Sequence, residues 1–233
     1  MAKIAINGFG RIGRLFFREA LGNPNLEIVA INDLGNLENL AYLLRYDTVY
    51  GRYDREIKIE KSKIKIDGKE VLVFQEKDPA KLPWKDLGID VAIEATGFFE
   101  SYEQAKAHLD AGAKRVVITA PAKDDDGEIG RTCLVGVNEE VMKLVKITSN
   151  GSCTTNAASP VITVLAEKLG VAKAVLNTTH GYTATQNLVD GPAKGSDFRR
   201  GRAAAQNIVP SSTGSAIAVG RAIKEMDGKF DGI

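Results

Sequence analysis

The chain opens on a short apolar run, KIAIN (3–7), then a glycine-rich turn and RIGRLFFREAL (11–21), whose apolar positions Ile12, Leu15, Phe16 and Ala20 keep helical spacing. LEIVAIND (26–33) repeats the apolar run. Two strands flanking a helix form a βαβ unit, which requires at least part of the sheet to be parallel. REIKIEKSKIKIDGKEVLVFQE (55–76) instead alternates apolar and charged residues around Asp67-Gly68, which predicts an antiparallel excursion with one face in solvent. VAIEATG (91–97) and RVVITAP (115–121) return as buried strands on either side of a helical SYEQAKAHLDAGA (101–113). Residues 1–150 therefore read as a doubly wound, largely parallel α/β domain.

From Cys153 the pattern changes. A helix runs to about Leu169, AKAVLNTTH (172–180) reads as a strand, and a polar segment rich in Gly, Asn, Asp and Arg spans Gly181 to about Arg202. Loops of that length are usually functional or disordered. AAAQNIVP (203–210) and a helix from Gly214 to about Glu225 follow. Residues 151–233 form a second unit that is short for an independent domain.

Composition narrows the function classes. At 44% apolar and 26% charged residues, the sequence is that of a soluble globular protein with a substantial core. Lys and Arg number 31 against 30 Asp and Glu, so no global bias favours nucleic acid or an anionic membrane. Any charged ligand must be recognised locally. Two cysteines, Cys133 and Cys153, make neither a disulfide framework nor a four-cysteine metal site, and free thiols fit a reducing compartment. The opening MAKIAINGFG lacks the apolar run of a signal peptide and no stretch has the length of a membrane span, so a cytoplasmic location is expected.

Gly8-Phe9-Gly10-Arg11-Ile12-Gly13 is G-x-G-x-x-G, a weak signal alone and a strong one here, because it follows a strand, opens a helix and precedes Asp33 by 20 residues counted from Gly13. The glycines permit a tight turn, while the helix N-terminus offers N–H groups and partial positive charge to a pyrophosphate. Asp33 would accept hydrogen bonds from ribose hydroxyls and repel a 2'-phosphate, which favours NAD over NADP.

SNGSCTTNAASPVITVLAEKLG (149–170) sets Cys153 at a helix start, with Thr154, Thr155 and Asn156 in the first turn. Helix N-termini stabilise thiolates: a thiol of pKa ~8.5 is about 3% ionised at pH 7, and one near ~6 about 90%. His180, one of two histidines, ends the predicted strand beside the long polar segment and could face that thiol as acid or base. Taken singly, Cys153 also reads as a small buried residue and His180 as a structural histidine. Cys133, in an apolar segment, and His108, in a charged helix, keep their structural readings.

INGFGRIGR (6–14), SNGSCTTNA (149–157), THGYTATQNLVDGP (179–192) and RRGRAAAQNIVPSSTG (199–214) together resemble the phosphorylating glyceraldehyde-3-phosphate dehydrogenases, collinearly over the whole chain. The resemblance implies a Rossmann-type NAD-binding domain over 1–150 and a partial α+β catalytic domain over 151–233. It implies that the Cys153 thiolate attacks the aldehyde of glyceraldehyde 3-phosphate, that His180 takes the hydroxyl proton as a thioester forms with reduction of NAD, and that inorganic phosphate releases 1,3-bisphosphoglycerate. Sulfur suits both halves, as a good nucleophile and a good leaving group.

The same resemblance puts Arg11 and Ile12 at the pyrophosphate, Asp33 at the ribose, Lys77 near the adenine end and Thr119 near the nicotinamide half. It puts Thr183 and Thr185 at the substrate phosphate, Ser152, Arg200, Thr213 and Gly214 around the attacking phosphate, and Thr154 among the same substrate and phosphate residues. Without it, Thr183 and Thr185 read as strand alternation and Arg199, Arg200 and Arg202 as a solvated charge run. Lys77 stands where many relatives carry Arg, and Ala157 replaces a second cysteine of the CTTNC form. Relatives are homotetramers that continue past the equivalent of Ile233, where an arginine for the substrate phosphate and an asparagine for the nicotinamide amide are supplied. The sequence is therefore expected to be a C-terminally incomplete copy with impaired turnover of its own. Two alternatives stay open: erythrose-4-phosphate dehydrogenase, and a non-catalytic NAD-binding fragment.

Overall fold

Strand alternation sorts the first elements onto two faces of one sheet. In β1 (Ala2–Asn7), Ile4 and Ile6 point to one side and Ala5 to the other. The isoleucines pack against Phe17 and Ala20 of α1 (Arg11–Ala20), Ile28 and Ile31 of β2 (Leu26–Asn32), and Leu40, Ala41 and Leu44 of α2 (Leu37–Arg45). Ala5 and Ala30 instead leave room on the opposite face for Leu82 and the fully buried Trp84. Helices on both faces are what a parallel sheet requires, because neither face can be left to water.

The computed structural model describes residues 1–193 and 195–232. The chain divides into two units, Met1–Ser152 and Cys153–Ile233. In the first, α2 is followed by a small antiparallel hairpin, β3 (Tyr46–Asp47) and β4 (Gly51–Arg52), then by β5 (Ile57–Glu60), β6 (Lys63–Ile66) and β7 (Lys69–Phe74). A short α3 (Trp84–Leu87), β8 (Val91–Glu94), α4 (Tyr102–Asp110), β9 (Arg115–Ile118), β10 (Gly130–Thr132) and β11 (Ile147–Ser149) complete it. The sheet has nine strands in the order β10-β11-β9-β8-β1-β2-β7-β6-β5, parallel from β10 to β7.

The antiparallel excursion is β5, β6 and β7, and its last strand rejoins the parallel sheet beside β2. Asp67 and Gly68 both have positive φ, 49° and 83°, as a two-residue hairpin turn needs. Helix α1 departs from its expected face: Gly13, Phe17 and Ala20 are buried, whereas Ile12 is 52% exposed. His108 sits on a helix of charged residues, yet it is completely buried.

The second unit holds α5 (Cys153–Leu169), β12 (Ala174–Leu176), α6 (Ser215–Ala222) and β13 (Phe230–Gly232), with β12 and β13 paired in parallel. The expected strand over 172–180 is thus three residues long. Beyond Leu176 the chain has no ladder partner among the described residues, so Asn177 to His180 run free of regular structure. The expected helix from Gly214 ends at Ala222 and tightens into a 3-10 turn at Lys224–Met226. The core of this unit is Ala158, Ile162, Val219 and Met226, while Val161, Val164, Val175 and Ile217 are exposed.

Candidate functional site

The parallel strands deliver the dinucleotide candidates to one edge, at their carboxyl ends. Gly8 follows β1 with φ +93°, and a Cβ there would lie 2.6 Å from the Ala95 backbone. At Gly13 a Cβ would fall 2.1 Å from the Gly8 carbonyl oxygen, so α1 can start this close to β1 only without one. Gly10 differs, since a Cβ there meets nothing within 4 Å. Two glycines thus serve packing, and the third leaves open space at the start of α1, where Gly10 offers no side-chain cap.

Asp33 does more than the sequence reading asked of it. Its carboxylate accepts from the backbone N–H of Phe9 at 2.6 Å and of Gly35 at 2.7 Å, so it fastens the glycine loop to the end of β2. Each oxygen keeps a lone pair for a ribose hydroxyl. Lys77 is exposed on the segment after β7, which is tied to the Asp33 loop where Gln75 Nε2 donates to the Gly35 carbonyl at 3.0 Å. On the other side of β1, Thr119 follows β9, and its hydroxyl donates to the Glu94 carbonyl at 3.0 Å. The Arg11 side chain pairs with Asp47 at 2.8 Å and lies over the Tyr50 ring.

In the second unit Cys153 is the first residue of α5 and is exposed, which removes its reading as a buried apolar residue. Its Sγ lies 3.1 Å from His180 Nε2. His180 Nδ1 is 2.6 Å from the Gly181 carbonyl oxygen, an acceptor only, so Nδ1 carries a proton and Nε2 is the atom presented to sulfur. Partial burial pushes the thiol up, but the hydrogen bond and charge of His180, with bonds from the Thr154 backbone N–H and hydroxyl, outweigh it and hold Cys153 below the usual thiol range. The Gly181 carbonyl, then Cys153 itself, raises His180 above the ordinary imidazole range. Both directions favour a thiolate facing an imidazolium. The pair opens into a cavity of about 720 Å³ that Val161, Leu165 and Val175 line on the apolar side.

The anion-binding candidates fall into two groups. Thr183 and Thr185 hydroxyls are 3.0 Å apart, and Arg200 Nη1 donates to Thr185 Oγ1 at 2.8 Å, so Arg200 joins the two threonines. Thr213 Oγ1 accepts from the Ser215 N–H at 3.1 Å, with Gly214 between them at the start of α6. Ser152 is partly buried at the end of the first unit.

A buried polar ladder of Asn32, Asn7, Glu94, His108 and Trp84, not anticipated from the sequence pattern, runs beneath the dinucleotide candidates. A signal existed: KIAIN and VAIN end two successive strands on the same residue type, and Asn7 and Asn32 are register partners.

Comparisons with known proteins agree with this geometry. Residues 2–102 match the family described as glyceraldehyde 3-phosphate dehydrogenase, NAD binding domain, and residues 152–233 match its C-terminal domain. The glyceraldehyde-3-phosphate dehydrogenase of Clostridium pasteurianum is 50% identical over 233 residues, covering 100% of this chain and 69% of its own length. The Geobacillus stearothermophilus enzyme of the same name is 46% identical over 99% of this chain and 68% of its own, and the cytosolic enzyme of Leishmania mexicana is 46% identical over 100% and 69%. With a G-x-G-x-x-G loop on a parallel sheet, a thiol paired with an imidazole at a helix start, and this identity along its whole length, the chain belongs to the glyceraldehyde-3-phosphate dehydrogenase family.

Proposed function

We propose that the protein oxidises D-glyceraldehyde 3-phosphate to 1,3-bisphosphoglycerate with NAD and inorganic phosphate. The observation that carries this is the 3.1 Å approach of Cys153 Sγ to His180 Nε2, with the imidazole oriented by the Gly181 carbonyl. The thiolate adds to the aldehyde carbon, and His180, protonated at Nε2, gives its proton to the oxygen as the C–S bond forms. When the carbonyl re-forms as a thioester, the now neutral Nε2 takes the hydroxyl proton back. NAD, when bound, supplies the acceptor for the hydrogen and electron pair that leave carbon. Phosphate then attacks the thioester, the C–S bond breaks, and the sulfur departs as a thiolate that again faces His180.

The residues present fit NAD: open space at Gly10, an uncapped α1, and a carboxylate at Asp33 with acceptor capacity to spare. Gly8, Gly10, Arg11, Ile12, Gly13, Asp33, Lys77 and Thr119 would hold it, within residues 1–150 as the NAD-binding domain. Residues 151–233 supply the catalytic part. Thr183, Thr185 and Arg200 form one hydroxyl–guanidinium group for a phosphate, Thr154, Thr213 and Gly214 would supply hydroxyls and N–H groups for a second anion, and Ser152, which precedes the nucleophile, offers a further hydroxyl. The names of the relatives favour glyceraldehyde 3-phosphate over erythrose 4-phosphate.

The chain spans 69% of the length of its Clostridium pasteurianum relative, and assembly as a homotetramer is proposed for the full-length protein. A cytoplasmic location agrees with the cytosolic Leishmania relative, and among the described residues no helix is long and apolar enough to cross a membrane. Intact-mass spectrometry after mixing with glyceraldehyde 3-phosphate and NAD, in the absence of phosphate, tests the chemistry. An acyl adduct on Cys153 that phosphate discharges supports it, and an unmodified thiol contradicts it.

A further inference from the structure

The ladder beneath the dinucleotide edge has a direction. Glu94, the last residue of β8, is 2% exposed, and its carboxylate takes four donors. Oε1 accepts from the Thr96 N–H at 2.8 Å and from the Thr96 hydroxyl; Oε2 accepts from Asn7 Nδ2 at 2.6 Å and from His108 Nε2 at 3.0 Å. The His108 assignment follows from Trp84: an indole N–H only donates, Trp84 Nε1 is 3.0 Å from His108 Nδ1, and the ring proton must then sit on Nε2.

On the other side the Glu76 N–H donates to Asn32 Oδ1 at 2.8 Å, Asn32 Nδ2 to Asn7 Oδ1 at 2.7 Å, and Asn7 Nδ2 to Glu94. Apart from the Asn32 Nδ2 hydrogen that returns to the Glu76 carbonyl, the hydrogens in the ladder point toward Glu94. No member can reverse alone. Asn32 is pinned by both the N–H and the carbonyl of Glu76, and His108 by an indole that cannot accept.

The ladder's members adjoin the proposed cofactor residues one by one. Asn7 precedes Gly8, Asn32 precedes Asp33, Glu76 precedes Lys77, and the Glu94 carbonyl accepts both the N–H and the hydroxyl of Thr119. Thr96, held twice by Glu94, in turn accepts from the Phe98 N–H at 3.1 Å and fixes the 96–98 turn. A buried carboxylate with only dipolar donors is a demanding way to fill space, and an amide could not replace it, because both oxygens must accept.

We propose that Glu94 is a positioning residue for the dinucleotide: an acceptor hub that fixes the Gly8, Asp33 and Lys77 side of the site relative to Thr96 and Thr119. The proposal rests on the reading of these residues as the NAD site.

In Glu94→Gln an amide N–H₂ replaces one acceptor and must face either the Thr96 N–H or the Asn7 and His108 donors. Binding of NAD to the purified 233-residue chain, measured by calorimetry, is expected to weaken about tenfold or more, the loss of one hydrogen bond to a charged group. The emission of Trp84, the only tryptophan, is expected to shift as its His108 partner is released. Asn7→Asp combined with Glu94→Gln restores the direction between the two positions. The new amide can then donate to the new carboxylate, and the Asn7 side chain that this carboxylate replaces already lies 3.4 Å from His108 Nε2, so the ring N–H keeps an acceptor. The double variant is expected to recover affinity to within about threefold of wild type.

An unchanged NAD affinity in a folded Glu94→Gln chain overturns the proposal, as does a double variant that fails to fold or to bind. Asp33→Ala separates the two readings. If it also leaves NAD affinity unchanged, the site itself is misassigned; if it abolishes binding while Glu94→Gln does not, only the role of Glu94 falls.

Discussion

Replacing His180 with Asn removes the imidazole from the thiol while keeping a side chain of similar reach, and the consequence can be worked out from the 3.1 Å contact. In the wild type, Cys153 is held below the usual thiol range chiefly by His180, against the opposing effect of burial, and His180 is raised by the Gly181 carbonyl and by the thiolate. Both shifts favour an ion pair of thiolate and imidazolium. It is lost on the acid side as sulfur is protonated and on the alkaline side as imidazole loses its proton.

A free thiol of pKa ~8.5 is about 3% ionised at pH 7, so full ionisation gains at most about 30-fold in thiolate. Intrinsic nucleophilicity falls about threefold per unit of lowered pKa, which leaves a net gain of about threefold per unit. Iodoacetamide alkylation of Cys153 in His180→Asn is accordingly expected to slow by at least about threefold at pH 6–7 and to match or exceed the wild type at pH 10, where both thiols are ionised and the unassisted sulfur is the better nucleophile. The two pH profiles must cross. Superimposable profiles, read by mass spectrometry of the alkylated peptide, would refute the assignment of His180 as the group that activates the thiol.

Three further outcomes follow from the first unit. Gly13→Ala drives a Cβ to 2.1 Å from the Gly8 carbonyl and is expected to destabilise by about 2 kcal/mol, roughly 4–8 °C in Tm, whereas Gly10→Ala, with open space around it, keeps the melting temperature and weakens NAD binding by calorimetry. Asp33→Asn removes the charge that excludes a 2'-phosphate and is expected to lower the NAD-over-NADP affinity ratio by about tenfold or more; an unchanged ratio would remove Asp33 from the ribose site. Asp47 is held down to about 2 by the Tyr50 N–H first and then by Arg11, so its contribution to stability is complete above the unfolded carboxylate value of 3.8 and is lost as pH falls toward 2. Asp47→Asn should therefore lower Tm at pH 6 and converge with the wild type near pH 2, and a constant offset across that range would contradict the assignment.

How much of this was legible in the sequence depended on whether a feature was local. The βαβ start, the glycine loop, the Asp67-Gly68 turn and the helix opening at Cys153 each depend on neighbours a few residues apart, and period or turn chemistry exposes them. The buried face of α1 was misread because Phe17 faces the core while Ile12, equally apolar, lies beside the open space at Gly10. The strand expected to reach His180 stops at Leu176, since Thr and Asn favour extended backbone but a strand also needs a partner, and β13 pairs only three residues. Helix α2 keeps helical spacing at Leu40, Ala41 and Leu44 but is nine residues long, and the two strands of the β3–β4 hairpin are two residues each. The Glu94 ladder was hard to see for a different reason: beyond the matching Asn7 and Asn32 strand ends, its members come from six elements or connecting segments far apart in the chain. The pairing of Cys153 with His180 had the same non-local character: the residue types suggested it, and the motif resemblance made it specific in advance.

The central claim is that this chain carries a thiol for acyl transfer to phosphate. The most direct test is a rapid-mixing measurement of NADH absorbance on the 233-residue chain with saturating NAD and glyceraldehyde 3-phosphate, with and without inorganic phosphate, and with Cys153→Ser as control. One NADH per chain without phosphate, slow continuing turnover only when phosphate is added, in keeping with the impaired turnover expected of this chain, and no signal from Cys153→Ser is the predicted result. A wild-type trace indistinguishable from Cys153→Ser, in a chain that binds NAD, would contradict it.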